Sequence, residues 1–282
     1  MKPGGPSFAV AFGGGGARGL AHIHVIEALD DLGIRPVALA GSSIGAIMGA
    51  GVASGMTGRE IHDFCRSVLS RRAEVAGRMW RARPGSMAEA LAGGLRFSQF
   101  SIERILDAFL PPAIPKDFED LGVPLQVTAT DYYGHHLTVL DKGELRSAIA
   151  ASAAIPAVFR PVVRDGRLLI DGGIYNPVPF DLLHGKADIV IGVDVVGAPE
   201  DDGRNRPNTI ELMFGATQLM MQSITAAKLK MMHPDILLRP PVSNFRALDF
   251  LKIDAVLAQT ASIKEETKRA VDAAWRSKEK AL

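Results

Sequence analysis

The feature that most constrains this chain is a pair of short apolar runs, each ending in a cluster of glycines. Phe8–Phe12 leads into the glycine-rich run 13–19, and residues 37–40 lead into the pentapeptide 41–45. A helical apolar period follows each cluster, over 21–32 and from Ile44 onward. Because glycine permits tight turns and close backbone approach, both segments are predicted to be strand–turn–helix units.

Further apolar runs extend this pattern along the chain. Strands are predicted at 124–130, 137–140, 168–170 and 188–196, followed by a polar loop at 199–208. Strands that alternate with helices predict an α/β fold with a mainly parallel sheet. Right-handed crossovers would place the strand-to-helix loops at one edge of that sheet, so the two glycine clusters should lie side by side.

We predict a single domain over residues 1–282, with its core at about 8–196. The arginine-rich segment 59–118 is interpreted as a solvated helical insertion, with a basic lid against anionic lipid headgroups as the alternative. The C-terminal part, 209–282, is predicted to be helical. One face of a long helix is formed there by Ile210, Met213, Thr217, Met220, Ile224, Ala227 and Met231. Core or dimer packing is the default interpretation of that face, and a lipid-accommodating methionine surface is the alternative.

Charge and cysteine content exclude several classes of protein. The chain has 32 Lys and Arg against 31 Asp and Glu, a formal net charge of +1. That balance offers nucleic acid no large field, so no nucleic-acid partner is expected. Cys65 is the one cysteine, which excludes an intramolecular disulfide and fits a reducing, cytoplasmic location, with peripheral contact at the inner membrane surface as an extension. The uncharged stretch 36–58 is long enough to span a bilayer, but its many Gly and Ser residues favour a strand, a turn and a buried helix.

Ser43 is the best candidate for a nucleophile. It occupies the centre of a G-x-S-x-G pentapeptide, in which Gly41 and Gly45 let the backbone turn sharply. The strand–turn–helix context would lift its hydroxyl above the sheet edge, at the positive end of the following helix. A merely structural turn is the alternative.

The first glycine cluster admits two interpretations. Gly14, Gly16 and Gly19 satisfy G-x-G-x-x-G, so a nucleotide-binding oxidoreductase is one hypothesis. Such a site requires an acid at the end of the second strand, where this chain has no carboxylate. The other hypothesis is that the amides of Gly14, Gly15 and Gly16 face a negative oxygen that forms beside Ser43.

Asp171 is the preferred partner for Ser43. It follows the predicted strand 168–170 and precedes Gly172 and Gly173, which would hold the carboxylate in a loop with a closely approaching backbone. A turn aspartate is the structural alternative. Because an aspartate of ordinary pKa, about 3.9, is a weak base at neutral pH, we expect a sheltered slot beside Ser43.

Asp171 is preferred to a histidine as the partner of Ser43, and a triad with His184 or His233 is the alternative. His184 and His233 suit a Ser…Asp…His chain order, but neither sits in a glycine- or proline-marked loop after a strong strand. His22 and His24 are two positions apart on a predicted helix and cannot share a face. No metal or cofactor is therefore expected.

Four motifs occur in a fixed order: 13–21, 41–45, the A-A-S-A-A-I-P run at 150–156, and Asp171 with its two glycines. Together they resemble the bacterial branch of the patatin-like phospholipase family, over about residues 8–196. The resemblance implies a three-layer α/β/α sandwich and hydrolysis of acyl esters of lipids, of the phospholipase A or lysophospholipase kind. A catalytically silent or regulatory protein with the same fold is the alternative.

The resemblance also implies a role for each matching residue. Ser43 would be the nucleophile and Asp171 its partner in a Ser–Asp dyad, with Arg18 in the basic position of the glycine loop. The implied oxyanion donors are Gly14, Gly15 and Gly16, and the implied supporting residues are Gly19, Gly41, Gly45, Gly172 and Gly173. The chain departs from the family at Gly13, where patatins carry Asp. Backbone donors do not depend on that side chain.

Overall fold

The central sheet has eight strands in the part of the chain that the structure describes. A computed structural model of the protein describes residues 5–70, 101–201, 203 and 207–280. The strands are β1 (Phe8–Phe12), β2 (Ala38–Ser42), β3 (Leu125–Asp131), β4 (His136–Leu140), β5 (Val162–Arg164), β6 (Arg167–Asp171), β7 (Ile189–Val193) and β8 (Ile236–Leu238).

The helices of the described residues surround this sheet. They are α1 (His22–Asp31), α2 (Ile44–Ala53), α3 (Gly58–Leu69), α4 (Ile102–Phe109), α5 (Leu145–Ser152), α6 (Thr209–Met231), α7 (Ile253–Thr260) and α8 (Ser262–Glu279). Short 3-10 turns at Gly16–Ala21 and Gly172–Ile174 follow β1 and β6 directly.

Strand order places the two glycine clusters together. The order is β5-β6-β3-β2-β1-β7-β8, with β4 also paired to β3. The five strands from β3 to β8 in that order are parallel neighbours, whereas β4, β5 and β6 pair antiparallel. Phe12 at the end of β1 is in register with Gly41 of β2. The predicted α/β fold with a mainly parallel sheet, and the adjacency of its two glycine loops, are therefore confirmed.

Alternation along β1 explains the three layers. Phe8, Val10 and Phe12 point into a large apolar cluster with α1, α2 and α8, while Ala9 and Ala11 point to the opposite face. Successive strand residues face opposite sides of a sheet, so the small alanines leave room for a second, thinner layer. That layer contains Phe180 and Leu183 of the segment after β6, together with the C-terminal end of α6.

The long C-terminal helix forms where the apolar period predicts it, but its exposure differs from the default interpretation. Met213 is 57% exposed, Met220 60% and Met231 82%. Core packing of that face is therefore wrong, because the helix turns other residues toward the protein. A period identifies a helix and its stripe, but does not say which neighbour covers the stripe.

Two other predictions are tested only in part by the described residues. The proposed insertion begins with α3 and ends after α4, but residues 71–100, which contain most of its arginines, lie outside the described residues. The domain boundaries stay a prediction. The uncharged stretch 36–58 forms β2 and α2, and no helix within the described ranges has the length and apolarity that crossing a bilayer demands. The cytoplasmic location also stays a prediction.

Gly45 sets how closely α2 approaches β1, and this yields a stability prediction. A Cβ at Gly45 would lie 2.1 Å from the Phe12 carbonyl oxygen, whereas a Cβ at Gly49 would meet the movable Leu125 side chain at 3.0 Å. Alanine ordinarily stabilises a helix interior by about 1 kcal/mol relative to glycine. We expect Gly45→Ala to lower the free energy of unfolding by about 3 kcal/mol, since backbone atoms must move.

Urea denaturation measures this difference, with Gly49→Ala on the same helix as the control. We expect the control to change stability by less than about 1 kcal/mol. Equal effects of the two substitutions would show that the contact between α2 and β1 is not the constraint.

Candidate active site

A cleft opens where β1 and β2 end. Ser43 and Asp171 line it together with Gly15, Gly16 and Arg18. The remaining lining residues are largely apolar: Ile155, Pro156, Ile174, Val196, Phe214, Thr217, Gln218, Met221 and Ala247. The cleft therefore combines a small polar centre with apolar walls.

Ser43 sits at a strained turn between β2 and α2. Its backbone has φ 53° and ψ −124°, a conformation that residues with a side chain seldom adopt. Such a conformation costs about 1–3 kcal/mol and persists only where the surroundings hold it. Here the Ser43 N–H donates to Ser152 Oγ at 2.8 Å, and the Ser43 carbonyl accepts from Ala46 N–H at 2.9 Å. The turn presents a hydroxyl at the N-terminus of α2.

Asp171 meets this hydroxyl directly. Ser43 Oγ donates to Asp171 Oδ2 at 2.6 Å, and Gly173 N–H donates to Asp171 Oδ1 at 2.8 Å. The Asp171 main chain is held as well, since Thr130 Oγ1 donates to its carbonyl at 2.8 Å. The structure thus brings together the two side chains that the sequence predicted to meet, although 128 positions separate them.

The sheltered slot expected beside Ser43 is present. Asp171 is 7% exposed, and this burial raises its pKa to about 6, against the lowering effect of the hydrogen bonds from Ser43 and Gly173. Desolvation disfavours the charged carboxylate, which is why its pKa moves up. A carboxylate with a pKa near neutral is a better match for proton transfer at physiological pH than an ordinary aspartate.

The glycine loop differs from the sequence prediction at one position. Gly14 N–H donates to the Pro177 carbonyl at 2.8 Å, so it is already used and does not face the cleft as an oxyanion donor. Gly15 and Gly16 line the cleft, and no acceptor in the described part of the chain receives their amide hydrogens. The free donors beside Ser43 are therefore the second and third of the three predicted amides.

Close backbone contacts explain why these positions are glycines. A Cβ at Gly15 would lie 2.3 Å from the Val195 carbonyl oxygen, and one at Gly16 would lie 2.1 Å from that of Ala247. Gly16 also has φ +61°, which favours glycine. Any side chain here would displace the loop from the cleft.

Arg18 anchors the glycine loop through its buried guanidinium. Arg18 is 3% exposed. Its Nε–H donates to the Phe245 carbonyl at 2.7 Å, and its Nη1–H donates to the Val196 carbonyl. Burial lowers its pKa to about 10, with Asp249 acting in the opposite direction, so the group stays charged at neutral pH. Arg18 thus ties the loop to two segments that follow β7 and β8.

The supporting glycines let neighbouring segments touch. A Cβ at Gly19 would meet Ile44 Cγ2 at 2.3 Å, and one at Gly172 would meet the Thr128 carbonyl oxygen at 2.2 Å. A Cβ at Gly173 would lie 2.8 Å from the terminal methyl of Met221 in α6, and one at Gly41 would lie 2.5 Å from the Gly45 carbonyl oxygen.

Sequence reasoning missed Ser152, and it did not single out Phe214 and Met221 of α6. Ser152 is fully buried at the end of α5, where it holds the strained turn of Ser43. Its sequence signal is a single hydroxyl within the apolar A-A-S-A-A-I-P run. Phe214 and Met221 reach the cleft from the side of α6 opposite its exposed stripe.

No histidine is among the described residues that line the cleft. His184 and His233, which suited a triad by chain order, are both exposed. The carboxylate of Asp171 is the hydrogen-bond acceptor of the serine hydroxyl.

The chain is similar to known proteins over much of its length. A family model described as patatin-like phospholipase matches residues 10–184. An uncharacterized NTE family protein of Mycobacterium tuberculosis is 38% identical over 205 residues, which cover 72% of this chain and 53% of that protein. Patatin-like phospholipase domain-containing protein 7 of Rattus norvegicus is 26% identical over 280 residues, covering 89% of this chain and 20% of that protein. The chain thus spans about half the length of the first relative and a fifth of the second.

Among solved structures, VipD from Legionella pneumophila aligns with a TM-score of 0.48 at 14% identity, over 94% of this chain and 67% of that chain. A likeness of this size carries no inference about function.

The raised pKa of Asp171 predicts a pH-dependent gain in stability for Asp171→Asn. The carboxyl has a pKa of about 6 in the folded protein against 3.8 as a reference, so its ionised form destabilises the fold above pH 6. That penalty disappears as the pH falls through 6 toward 3.8, because the folded protein takes up the proton first. We expect Asn, which needs no charge, to stabilise the protein by about 3 kcal/mol at pH 8 and by much less at pH 4.

Denaturation of both proteins at the two pH values tests this. Asp141→Asn, which changes an exposed carboxylate, is the control and should have little effect at either pH. A gain of the same size at pH 4 and pH 8 would contradict a raised pKa for Asp171.

Proposed function

The chain belongs to the patatin-like phospholipase family, a family of lipid acyl hydrolases, and from this premise we propose that it cleaves carboxylic esters of lipids through Ser43 and Asp171. The observation that carries the proposal is the 2.6 Å hydrogen bond from Ser43 Oγ to Asp171 Oδ2 at the floor of an apolar cleft. Cleavage of the phospholipase A or lysophospholipase kind fits this arrangement.

Asp171 serves as the general base in the proposed first step. With a pKa of about 6, its carboxylate is roughly nine-tenths ionised at pH 7. It accepts the hydroxyl proton as Ser43 Oγ attacks the ester carbonyl, and the carbonyl electrons move onto oxygen. The tetrahedral intermediate collapses when Asp171 returns the proton to the departing alcohol, which leaves an acyl-serine.

Water completes the reaction in a second passage through the same groups. Asp171 takes a proton from the water that attacks the acyl-serine carbonyl, and then returns it to Ser43 Oγ as the fatty acid leaves. The dyad is thereby restored without any outside proton donor.

The amides of Gly15 and Gly16 are the proposed oxyanion donors. Both border the cleft beside Ser43, and no described acceptor occupies them. The N-terminus of α2, which begins at Ile44, adds its positive dipole end. Each preorganised donor of this kind stabilises a transition state by about 3–4 kcal/mol.

Apolar walls support an acyl chain as the group bound beside the dyad. Ile155, Ile174, Phe214 and Met221 line the cleft with few polar atoms among them. An aliphatic chain that leaves water for such walls gains roughly 0.8 kcal/mol for each buried methylene. One relative is named as a patatin-like phospholipase domain-containing protein, and that name agrees with a lipid substrate.

Two alternatives have weaker support. A catalytically silent family member would not need a buried carboxylate hydrogen-bonded to an intact Ser43. A dinucleotide site would need an acid at the end of β2, yet that strand ends at Ser42 with no carboxylate.

Labelling with a fluorophosphonate probe tests the proposed nucleophile. We expect the protein to react with the probe and to hydrolyse a p-nitrophenyl ester, and Ser43→Ala to lose both properties because the attacking oxygen is gone. Ser54→Ala, at the other end of α2, is the matched control and should keep both. Full hydrolysis by Ser43→Ala would refute the assignment.

Mass-spectrometric profiling of a mixed lipid extract then identifies the substrate class. Fatty acids and their deacylated partner lipids should accumulate with the native protein but not with Ser43→Ala. The same products from both proteins would exclude Ser43 as their source.

A lipid surface is the proposed partner of the exposed stripe on α6. Leu212, Met213, Leu219 and Met220 are each more than half exposed, and no charged residue occurs from 212 to 227. The stripe belongs to the same helix that walls the cleft, so it adjoins the proposed lipid site. Exposed apolar patches of this kind mark interaction sites.

Vesicle sedimentation tests this surface. We expect Met220→Glu to weaken binding to phosphatidylethanolamine–phosphatidylglycerol vesicles about tenfold, since a charge replaces an apolar side chain that would enter the lipid. Val163→Glu on the edge strand β5, where Val163 is 69% exposed, is the control and should bind as the native protein does. Equal binding by the two variants, or dissociation of a dimer by Met220→Glu, would contradict a lipid surface.

A further inference from the structure

His22 is a buried titratable residue that the proposed reaction does not use. It begins α1 and has no exposed surface. Its Nε2 lies 2.9 Å from the carbonyl oxygen of Gly13, the residue between β1 and the free amides of the glycine loop. Since a carbonyl oxygen only accepts, Nε2 carries the hydrogen. Burial lowers the pKa of His22 to about 4, which keeps the ring neutral.

The hydrogen bond from His22 holds one end of a single peptide plane. The Gly13 carbonyl and the Gly14 N–H belong to the same planar unit and point in opposite directions. The Gly14 N–H donates to the Pro177 carbonyl at 2.8 Å. One plane is therefore held from both sides, by α1 and by the segment that follows Asp171.

We propose that His22 is a positioning residue whose bond to the Gly13 carbonyl orients the glycine loop, so that Gly15 and Gly16 present their amides to the cleft. This inference rests on the proposed function. Glycines have wide conformational freedom, so a run of them needs outside contacts to keep its amides aligned. Preorganised donors stabilise an oxyanion because they need no reorientation during the reaction.

Stability alone does not account for a histidine at this position. Nδ1 of His22 is buried and has no partner among the described residues, and a stranded buried acceptor costs about 1–3 kcal/mol. The Phe12 ring packs against His22 edge-on at 5.1 Å, so the surroundings are apolar. A phenylalanine would fill the same space without a stranded nitrogen, but it would lack the donor to Gly13.

His24 provides a matched control on the same helix. It is also largely buried, and its Nε2 lies 2.9 Å from the Leu257 carbonyl oxygen, away from the cleft. Replacing either histidine by phenylalanine removes a comparable hydrogen bond to a backbone carbonyl. Only the change at His22 touches the glycine loop.

The experiment compares His22→Phe, His22→Gln and His24→Phe in the full chain. The measurements are kcat and KM for a p-nitrophenyl ester, and amide hydrogen exchange of the peptide that contains the glycine loop. We expect His22→Phe to lower kcat at least about tenfold with little change in KM, within the hundredfold loss that follows from an ångström of misplacement. Loop exchange should accelerate in the same variant.

Glutamine carries a side-chain N–H near the position of Nε2, so His22→Gln should restore much of kcat and of the loop protection. His24→Phe should leave both unchanged, whatever it does to the melting temperature. Unchanged loop exchange in His22→Phe, or equal losses of kcat in His22→Phe and His24→Phe, would overturn the inference. If the native protein hydrolysed no ester, the proposed function would fail, while loop exchange would still decide whether His22 holds the glycines. If His22→Phe did not fold, His22→Asn, whose shorter amide does not reach the Gly13 carbonyl, would replace it in the same exchange measurement, and native-like loop exchange in that variant would overturn the inference.

Discussion

The hydrogen bond between the Ser43 hydroxyl and the buried Asp171 carboxylate is the interaction on which the rest of the site depends. It joins a turn after β2 to the end of β6, two strands that both border β3. The same burial that brings the groups together raises the pKa of Asp171 to about 6. Contact and basicity therefore have one physical origin, the exclusion of water from a closely packed sheet edge.

Glycines make that close packing possible, because they have no side chain. Gly45 lets α2 rest on the end of β1, Gly172 lets the turn after β6 rest on β3, and Gly15 touches the segment after β7. Each contact involves a backbone carbonyl at a distance that no Cβ would permit. The strained turn of Ser43 is tolerated within this frame because Ser152 accepts its amide hydrogen.

Helix α6 contributes both to the wall of the cleft and to the exposed apolar surface beside it. Its C-terminal half is fastened by Lys228, whose ammonium donates to Asp181 Oδ1 and to the Val178 carbonyl, each at 2.6 Å. Both partners lie in the segment that follows Asp171. The N-terminal half of α6 lines the cleft with Phe214 and carries the exposed apolar stripe on its other side. A helix that is held at one end and carries an exposed apolar stripe beside the cleft agrees with the proposed lipid substrate.

Local sequence pattern and residue type determined much of the secondary structure and the two central residues of the candidate site. Short apolar runs followed by glycines specified strand–turn–helix units, and Ser43 and Asp171 stood out because each follows a strand in a glycine-marked turn. Only the tertiary structure decided which glycine amides stay free. The Gly14 N–H donates to the carbonyl of Pro177, a residue far along the chain, and no local sequence pattern shows the direction of a peptide plane. The exposure of Met220 was decided in the same way, because a helical period identifies a stripe whereas burial depends on which distant segments pack against it.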